Sequence, residues 1–302
     1  MPNAKTLFTY QQSRNFSDLV AFKIVKRSER LAAQFNRDSP KKMAIFAHDH
    51  IGIHINQYGM YDKPDLDMLF GFLAPLADAF RSGVALDVGA NIGNHALFFS
   101  ERFRTVHAFE PNPATYYLLE FNAKQADNIV PYGYGLSSEN GVLQLHEDLD
   151  NMGAASIKYA AGENAASVQI EVRRLDDLDL PIDGLCFVKI DVEGFEPEVL
   201  RGSLRTITTH QPVIAMEQLE REFVDGETES IAMLRDAGYR FCWPKSSHRS
   251  KRGLARQLDS LRNRLFGRPD LIEMISADRV PVGGYNLLVA VPPRFQGALG
   301  LA

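Results

Sequence analysis

From Val84 onward the chain alternates short β-rich runs with helical stretches, and this alternation restricts the possible folds more than any other feature. The β-rich runs fall at 84–88, 105–109, 129–134, 185–190 and 212–216, and the helical stretches near 92–101, 114–125, 196–206 and 228–237. Apolar runs without strict alternation belong to strands buried on both faces, so the pattern predicts a parallel sheet covered by helices on each side. A strand near 239–243 and a last one at 285–291, stopped by Pro292-Pro293, extend it. Two further runs, 142–146 and 168–172, interrupt the alternation and predict an antiparallel insertion, joined by a linker that includes a small-residue loop at 150–156.

Before the sheet, the sequence predicts a helix over 18–35, a hairpin from 43–46 and 51–55, and a helix from Asp65 through Phe80. Composition excludes disordered and fibrous classes: of 302 residues, 45% are hydrophobic and 24% charged, as in ordinary globular domains. No apolar run reaches the roughly 18 residues of a bilayer span, and residues 1–15 carry no apolar leader segment, so a cytoplasmic chain is expected. Cys186 and Cys242 sit inside apolar runs and are expected to be core thiols, outside any disulfide or zinc framework.

The segment Asp87-Val88-Gly89-Ala90-Asn91-Ile92-Gly93-Asn94 follows a strand and opens a helix, where a glycine turn lets backbone amides approach a ligand. Glu110 ends the next strand, 23 positions after Asp87, where a carboxylate can accept both ribose hydroxyls. Together they describe an adenosine site. The acid at the head of the loop repels phosphate and the third glycine of a dinucleotide loop is missing. A ligand carrying an ammonium and a sulfonium suits that charge, which favours S-adenosylmethionine over NAD.

At these residues the chain resembles the class I S-adenosylmethionine-dependent methyltransferases, and within them the FkbM family. The resemblance rests on Asp87 to Gly93, on His107-Ala108-Phe109-Glu110-Pro111-Asn112-Pro113, and on Val188-Lys189-Ile190-Asp191-Val192-Glu193-Gly194-Phe195-Glu196 leading to Val199-Leu200-Arg201-Gly202. It continues through Leu175 to Leu178, Pro212 to Glu217 and Tyr285 to Val291, covering about Val84 to Pro292 apart from the basic insertion. It implies an α/β fold with a doubly wound, mostly parallel seven-stranded Rossmann-like sheet whose last strand is antiparallel. It also implies O-methylation of a hydroxyl on a sugar, glycan or secondary metabolite. Asp87, Gly89, Asn91 and Gly93 would surround the methionine part, Glu110 the ribose and Leu136 the adenine. The expected division is a helical and hairpin appendage over 1–80 and a methyltransferase domain over 81–302. That domain would carry a β insertion at about 141–173 and a basic insertion at about 245–280.

Methyl transfer to an alcohol needs alignment and a proton acceptor. Asp191 and Glu193 lie just past the fourth strand and Glu217 ends the fifth, so all three are expected at one rim. Either Asp191 or Glu193 is expected to be the base, against the plainer role of acids opening the helix that follows. Lys189 either neutralises the cluster or orients a substrate hydroxyl. No metal is expected. Mg²⁺ held by Asp191, Glu193 and Glu217 is the alternative, although no tight Asp-x-Asp or Asp-Asn ligand pair stands at Glu217, where Gln218 follows. His48, Asp49, His50 and His54 read as a hairpin surface, with an acceptor-site role as the alternative, and His95 as a packed residue.

The net charge of −5 conceals an asymmetry, because Lys245 to Arg268 carries +7 and the remainder −12. Leu254, Leu258, Leu261 and Leu265 form a helical apolar stripe there, with Arg256, Arg262 and Arg264 largely off it. Three roles are open to this segment: an anionic acceptor, peripheral contact with the inner membrane face, and a solvated cover for the sheet. Nucleic acid is disfavoured, since no aromatic platform accompanies the arginines. Two rival functions remain, an NAD-dependent oxidoreductase and a non-catalytic nucleotide-binding scaffold.

Overall fold

The computed structural model describes residues 23–24, 26–27, 42–46, 49–148, 151–156, 165–246 and 272–301. Its strands are β1 (Val84–Val88), β2 (Thr105–Phe109), β3 (Ile129–Tyr132), β4 (Gly135–Leu136), β5 (Gly141–Asp148), β6 (Asn151–Ser156), β7 (Ala165–Arg173), β8 (Leu185–Ile190), β9 (Val213–Gln218), β10 (Arg240–Ser246), β11 (Ile272–Ser276) and β12 (Tyr285–Val291). Eight of them form the main sheet in the order β11-β10-β12-β9-β8-β1-β2-β3. Pairing is parallel from β9 through β8, β1 and β2 to β3, while β12 runs antiparallel to both β9 and β10. The expected sheet therefore gains an eighth strand: β11 pairs antiparallel with β10, from Cys242↔Ser276 to Ser246↔Ile272.

The helices are α1 (His50–Tyr58), α2 (Lys63–Phe72), α3 (Ala77–Ser82), α4 (Asn94–Ser100), α5 (Pro113–Ala123), α6 (Glu196–Arg201), α7 (Leu204–His210), α8 (Glu229–Asp236) and a short terminal α9 (Pro293–Gln296). The expected hairpin at 43–55 is overturned. Residues 42–46 are irregular and α1 replaces the second strand, with Gly52 and Ile55, three apart, turned inward. Gly52 permits this crossing, since a Cβ there would fall 2.3 Å from the Phe46 carbonyl oxygen. The expected helix over 65–80 is divided at Ala74-Pro75-Leu76, a single 3₁₀ turn. The one over 196–206 breaks at Gly202, whose missing Cβ would lie 1.9 Å from the carbonyl oxygen of Ser137. The small-residue loop at 150–156 is mostly strand, β6 lying against β5.

The inner strands are apolar because helices cover both faces; all five residues of β1 are buried. On one face a phenylalanine cluster joins α2 and α4 to β8. Half-buried Phe70 meets Phe98, Phe99, Phe103 and Phe187 at centroid separations of 5.4, 5.9, 5.9 and 5.5 Å. Burying each such ring contributes about 2 kcal/mol, and the contacts hold α2 and the last turn of α4 against β8. The insertion forms its own sheet, β4-β7-β5-β6, around Leu145, Ile170 and Val172. Cys186 and Cys242 are buried free thiols. Most of the expected N-terminal helix, and the leucine stripe with its arginines, lie outside the described residues. No helix among the described residues is long and apolar enough to cross a membrane.

Candidate active site

A cleft opens at the carboxyl ends of β1, β2, β8 and β9, where the strand order reverses direction and open α/β sheets hold their ligands. After β1 the chain turns through Gly89 (φ +76°), Asn91 (φ 49°) and Gly93 (φ +87°) into α4. A Cβ on Gly89 would sit 1.9 Å from the Asp191 carbonyl oxygen, so the loops leaving β1 and β8 touch at a point only glycine allows. At the end of β2, Glu110 accepts one hydrogen bond from the Asn91 amide and another from the Asn112 amide, both at 2.9 Å. Burial pushes its carboxyl up to about 7, against the pull of those amides.

Beside this loop lies a second group of charges. Asp87 and Lys189 face each other across the β1–β8 pairing, and the Lys189 ammonium stands 3.4 Å from Asp87 and 3.2 Å from Asp191. It also donates to the Gly89 carbonyl at 3.3 Å. Asp87 is wholly buried, and burial raises its carboxyl to about 6 even with Lys189 alongside. Burial works against the charge on Lys189, but Asp191 and Asp87 outweigh it and hold the ammonium above its ordinary range. Burial opposes the charge on Asp191 as well, and Lys189 keeps this carboxyl below its ordinary value.

Asp191, Glu193 and Glu217 bring carboxylate oxygens within 4.8 Å of one another. Glu193 sits in left-handed backbone (φ 52°), and Glu217 is next to last in β9. Burial, followed by the like charges of Asp191, Glu193, Glu196 and Glu222, pushes Glu217 up to about 8. A hard cation would find oxygen ligands here, although Lys189 already supplies positive charge beside Asp191.

Of the residues expected to hold cofactor, Gly89, Asn91 and Glu110 line the cleft, whose volume is about 240 Å³. Asp87 lies beneath its floor, Gly93 packs on Leu119, and Leu136 is buried in the core beside β7. Lys189, Asp191 and Glu193 all reach the cleft, together with Glu217. His95 lines it too, and burial lowers its imidazole to about 3, which keeps the ring neutral. The His50 and His54 rings lie 4.5 Å apart on α1, tilted by 47°, Asp49 is buried at that helix's start, and His48 is outside the described residues.

The sequence reading missed Tyr61, Asp62 and Asn286, which also line the cleft. Asn94 ties down the Tyr61 backbone, and Asp62 enters α2 in left-handed geometry (φ 53°). Three of the five non-glycine residues with positive φ among those described, Asp62, Asn91 and Glu193, line this cleft, which is where such backbone strain tends to collect. Among the described lining residues Lys189 is the only lysine or arginine, and its charge is matched by Asp87 and Asp191. A pyrophosphate would find no spare positive charge, whereas an adenosine bearing a sulfonium meets carboxylates.

The profile of the methyltransferase FkbM domain matches residues 87–241. The chain belongs to the FkbM methyltransferase family. The FkbM span contains Asp87, Glu110, Lys189, Asp191, Glu193 and Glu217. The hexuronic acid methyltransferase AglP of Haloferax volcanii is 32% identical over 149 residues, covering 46% of this chain and 57% of that protein. The methyltransferase sdnD of Sordaria araneosa is 25% identical over 229 residues, covering 64% of this chain and 80% of its own length. The FkbM chain thus spans just over half of the archaeal relative. The crystal structure of an FkbM methyltransferase from Methylobacillus flagellatus superposes with a TM-score of 0.33 at 20% identity, covering 52% of this chain and 45% of that one.

Proposed function

We propose that this FkbM protein transfers a methyl group from S-adenosylmethionine to a hydroxyl of a sugar, glycan or secondary metabolite. The observation that carries the reading is the cleft's charge pattern. Glu110 is fixed by two amides beside the glycine loop, and the cleft's one lysine is matched by two carboxylates. Gly89, Asn91 and Glu110 would hold the nucleoside. S-adenosylmethionine supplies a methyl on a cationic sulfur that leaves as a neutral thioether. The protein then needs to align the acceptor, exclude water and accept one proton. Ile51, Tyr61 and Leu145 line the cleft from three separate parts of the chain.

The name of the Haloferax relative supports hexuronic acids among the first acceptors to be tried. Calorimetry with S-adenosylhomocysteine and NADH tests the cofactor, and saturable binding of the former alone is expected. Binding of NADH without S-adenosylhomocysteine would establish the oxidoreductase instead. Formation of S-adenosylhomocysteine with methyl glycosides of hexuronic acids and hexoses, followed by mass spectrometry of the product, tests the transfer.

A further inference from the structure

We propose that the acceptor carries an uncharged alkyl branch close to its reacting hydroxyl, and that this branch enters a side chamber next to the cleft. The inference rests on the O-methyl transfer reading and names the acceptor class within it. The chamber, of about 110 Å³, lies between α2, α4 and the ends of β8 and β9. It is less than half the size of the main cleft at about 240 Å³, so it suits one substituent of an acceptor and not a whole glycan.

The two spaces adjoin through shared lining residues, and polarity changes sharply from one to the other. Every residue that borders both is polar, from Tyr61 and His95 to Glu217 and Asn286. Those that border the chamber alone are apolar, apart from the exposed Asp65. Leu66, Leu69, Phe99, Phe187 and Ala215 belong to the main core cluster, and Leu287 packs on it. The chamber is thus an indentation of the hydrophobic core behind a polar collar.

Apolar groups gain from leaving water for such a space. A hydroxyl placed there gives up its water partners and meets carbon. A carboxylate fares worse. It would pass Asp62, Asp191 and Glu217, and among the described lining residues it would meet no lysine or arginine besides Lys189, whose charge is matched by Asp87 and Asp191. The amino-acid end of the cofactor is charged at both groups and is unsuited on the same ground. An acceptor that is hydroxylated at the collar and hydrocarbon beyond it fits both parts. With the branch in the chamber, its hydroxyl stands where chamber and cleft meet, facing the space assigned to the cofactor. A 6-deoxyhexose, whose C6 is a methyl, has this form, and so has a methyl-branched secondary alcohol of a metabolite. The shared chemistry is an alkyl branch close to a secondary hydroxyl.

The test supplies the full-length protein with S-adenosylmethionine and matched acceptors that differ only at C6. These are methyl 6-deoxyglycosides, methyl hexosides and methyl hexuronosides in the D-gluco, D-galacto and D-manno series, with kcat/KM read from S-adenosylhomocysteine formation. In at least one series the 6-deoxyglycoside should exceed its hexoside by about 10- to 100-fold and its hexuronoside by more than about 100-fold. A second arm compares trans-2-methylcyclohexanol with cyclohexanol. Preference for the branched member in that arm alone places the acceptor among metabolites, and preference among the glycosides places it among sugars; either supports the proposal. Leu287→Gln, which sets an amide in the chamber, should raise the hexoside relative to the 6-deoxyglycoside. Leu287→Phe, which fills the chamber, should lower turnover of the branched acceptors. Both variants should bind S-adenosylhomocysteine as wild type does, which also shows that they are folded.

Equal use of the three C6 forms, or preference for the hexuronoside, overturns the proposal and leaves the O-methyl transfer reading standing. So does a preference for the 6-deoxyglycoside that both Leu287 variants keep unchanged. Transfer to none of the branched acceptors, with S-adenosylhomocysteine bound, overturns it as well. Failure of the wild-type protein to bind S-adenosylhomocysteine defeats the underlying reading instead.

Discussion

Asn94 and Tyr61 exchange two hydrogen bonds: the Tyr61 amide donates to Asn94 Oδ1 at 3.1 Å, and Asn94 Nδ2 donates to the Tyr61 carbonyl at 3.0 Å. Asn94 is the first residue of α4 and Tyr61 lies just before α2, so one buried amide ties the end of the glycine loop to the chain entering α2. Asn94→Ala would strand both backbone groups. A stability loss of about 2 kcal/mol is expected from urea denaturation, together with faster proteolysis between 58 and 63. Unchanged stability and cleavage would show that this junction is held by other contacts.

The Lys189 charge is required wherever Asp87 stays ionised. Lys189→Met removes the cation from a carboxylate that water cannot reach. Breaking a buried pair in this way costs about 3 kcal/mol, and Asp87→Asn in the same chain should recover a good part of it. A double-mutant cycle in urea measures the coupling. Additive losses would mean that the two groups are energetically independent.

Acid should favour the folded state across the neutral range. Burial lifts both Glu110 and Glu196 from an ordinary value of 4.5 to about 7. Between those limits the folded protein binds more protons than the unfolded chain, so unfolding free energy falls as pH rises. The contribution of these groups is fully present below about pH 4.5 and is lost as pH passes through 7. Tm should drop from pH 5 to pH 8, and Glu196→Gln should show a smaller drop. A Tm that climbs over this interval in wild type would contradict the burial argument.

Gly89 tolerates no side chain. A Cβ at that position meets the Asp191 carbonyl oxygen, and φ is +76°. Gly89→Ala is expected to weaken S-adenosylhomocysteine binding at least tenfold even where the protein still folds, because relief of the clash must separate the loops after β1 and β8. Calorimetry giving an unchanged Kd would place the nucleoside elsewhere.

The inner strands were legible because burial on both faces leaves no choice but apolar residues, and 84–88, 105–109 and 185–190 match β1, β2 and β8 residue for residue. Glu110 was legible for a related reason, since strand ends in such sheets project side chains into the same crevice. The helix at 50–58 was not, because His50-Ile51-Gly52-Ile53-His54-Ile55 alternates at period two while its buried positions, Gly52 and Ile55, follow helical spacing. Which acids Lys189 neutralises was likewise beyond the sequence. It depends on the register that sets Asp87 opposite Lys189, and register is a property of two strands together.

The pairing of Ser246 with Ile272 sets neighbouring sheet-edge positions at the two ends of residues 247–271. The β10–β11 ladder thus holds positions 246 and 272 side by side, and closing a loop between two such positions costs only about 0.6 kcal/mol more for each doubling of its length, so the ladder tolerates wide variation in the number of residues it closes over.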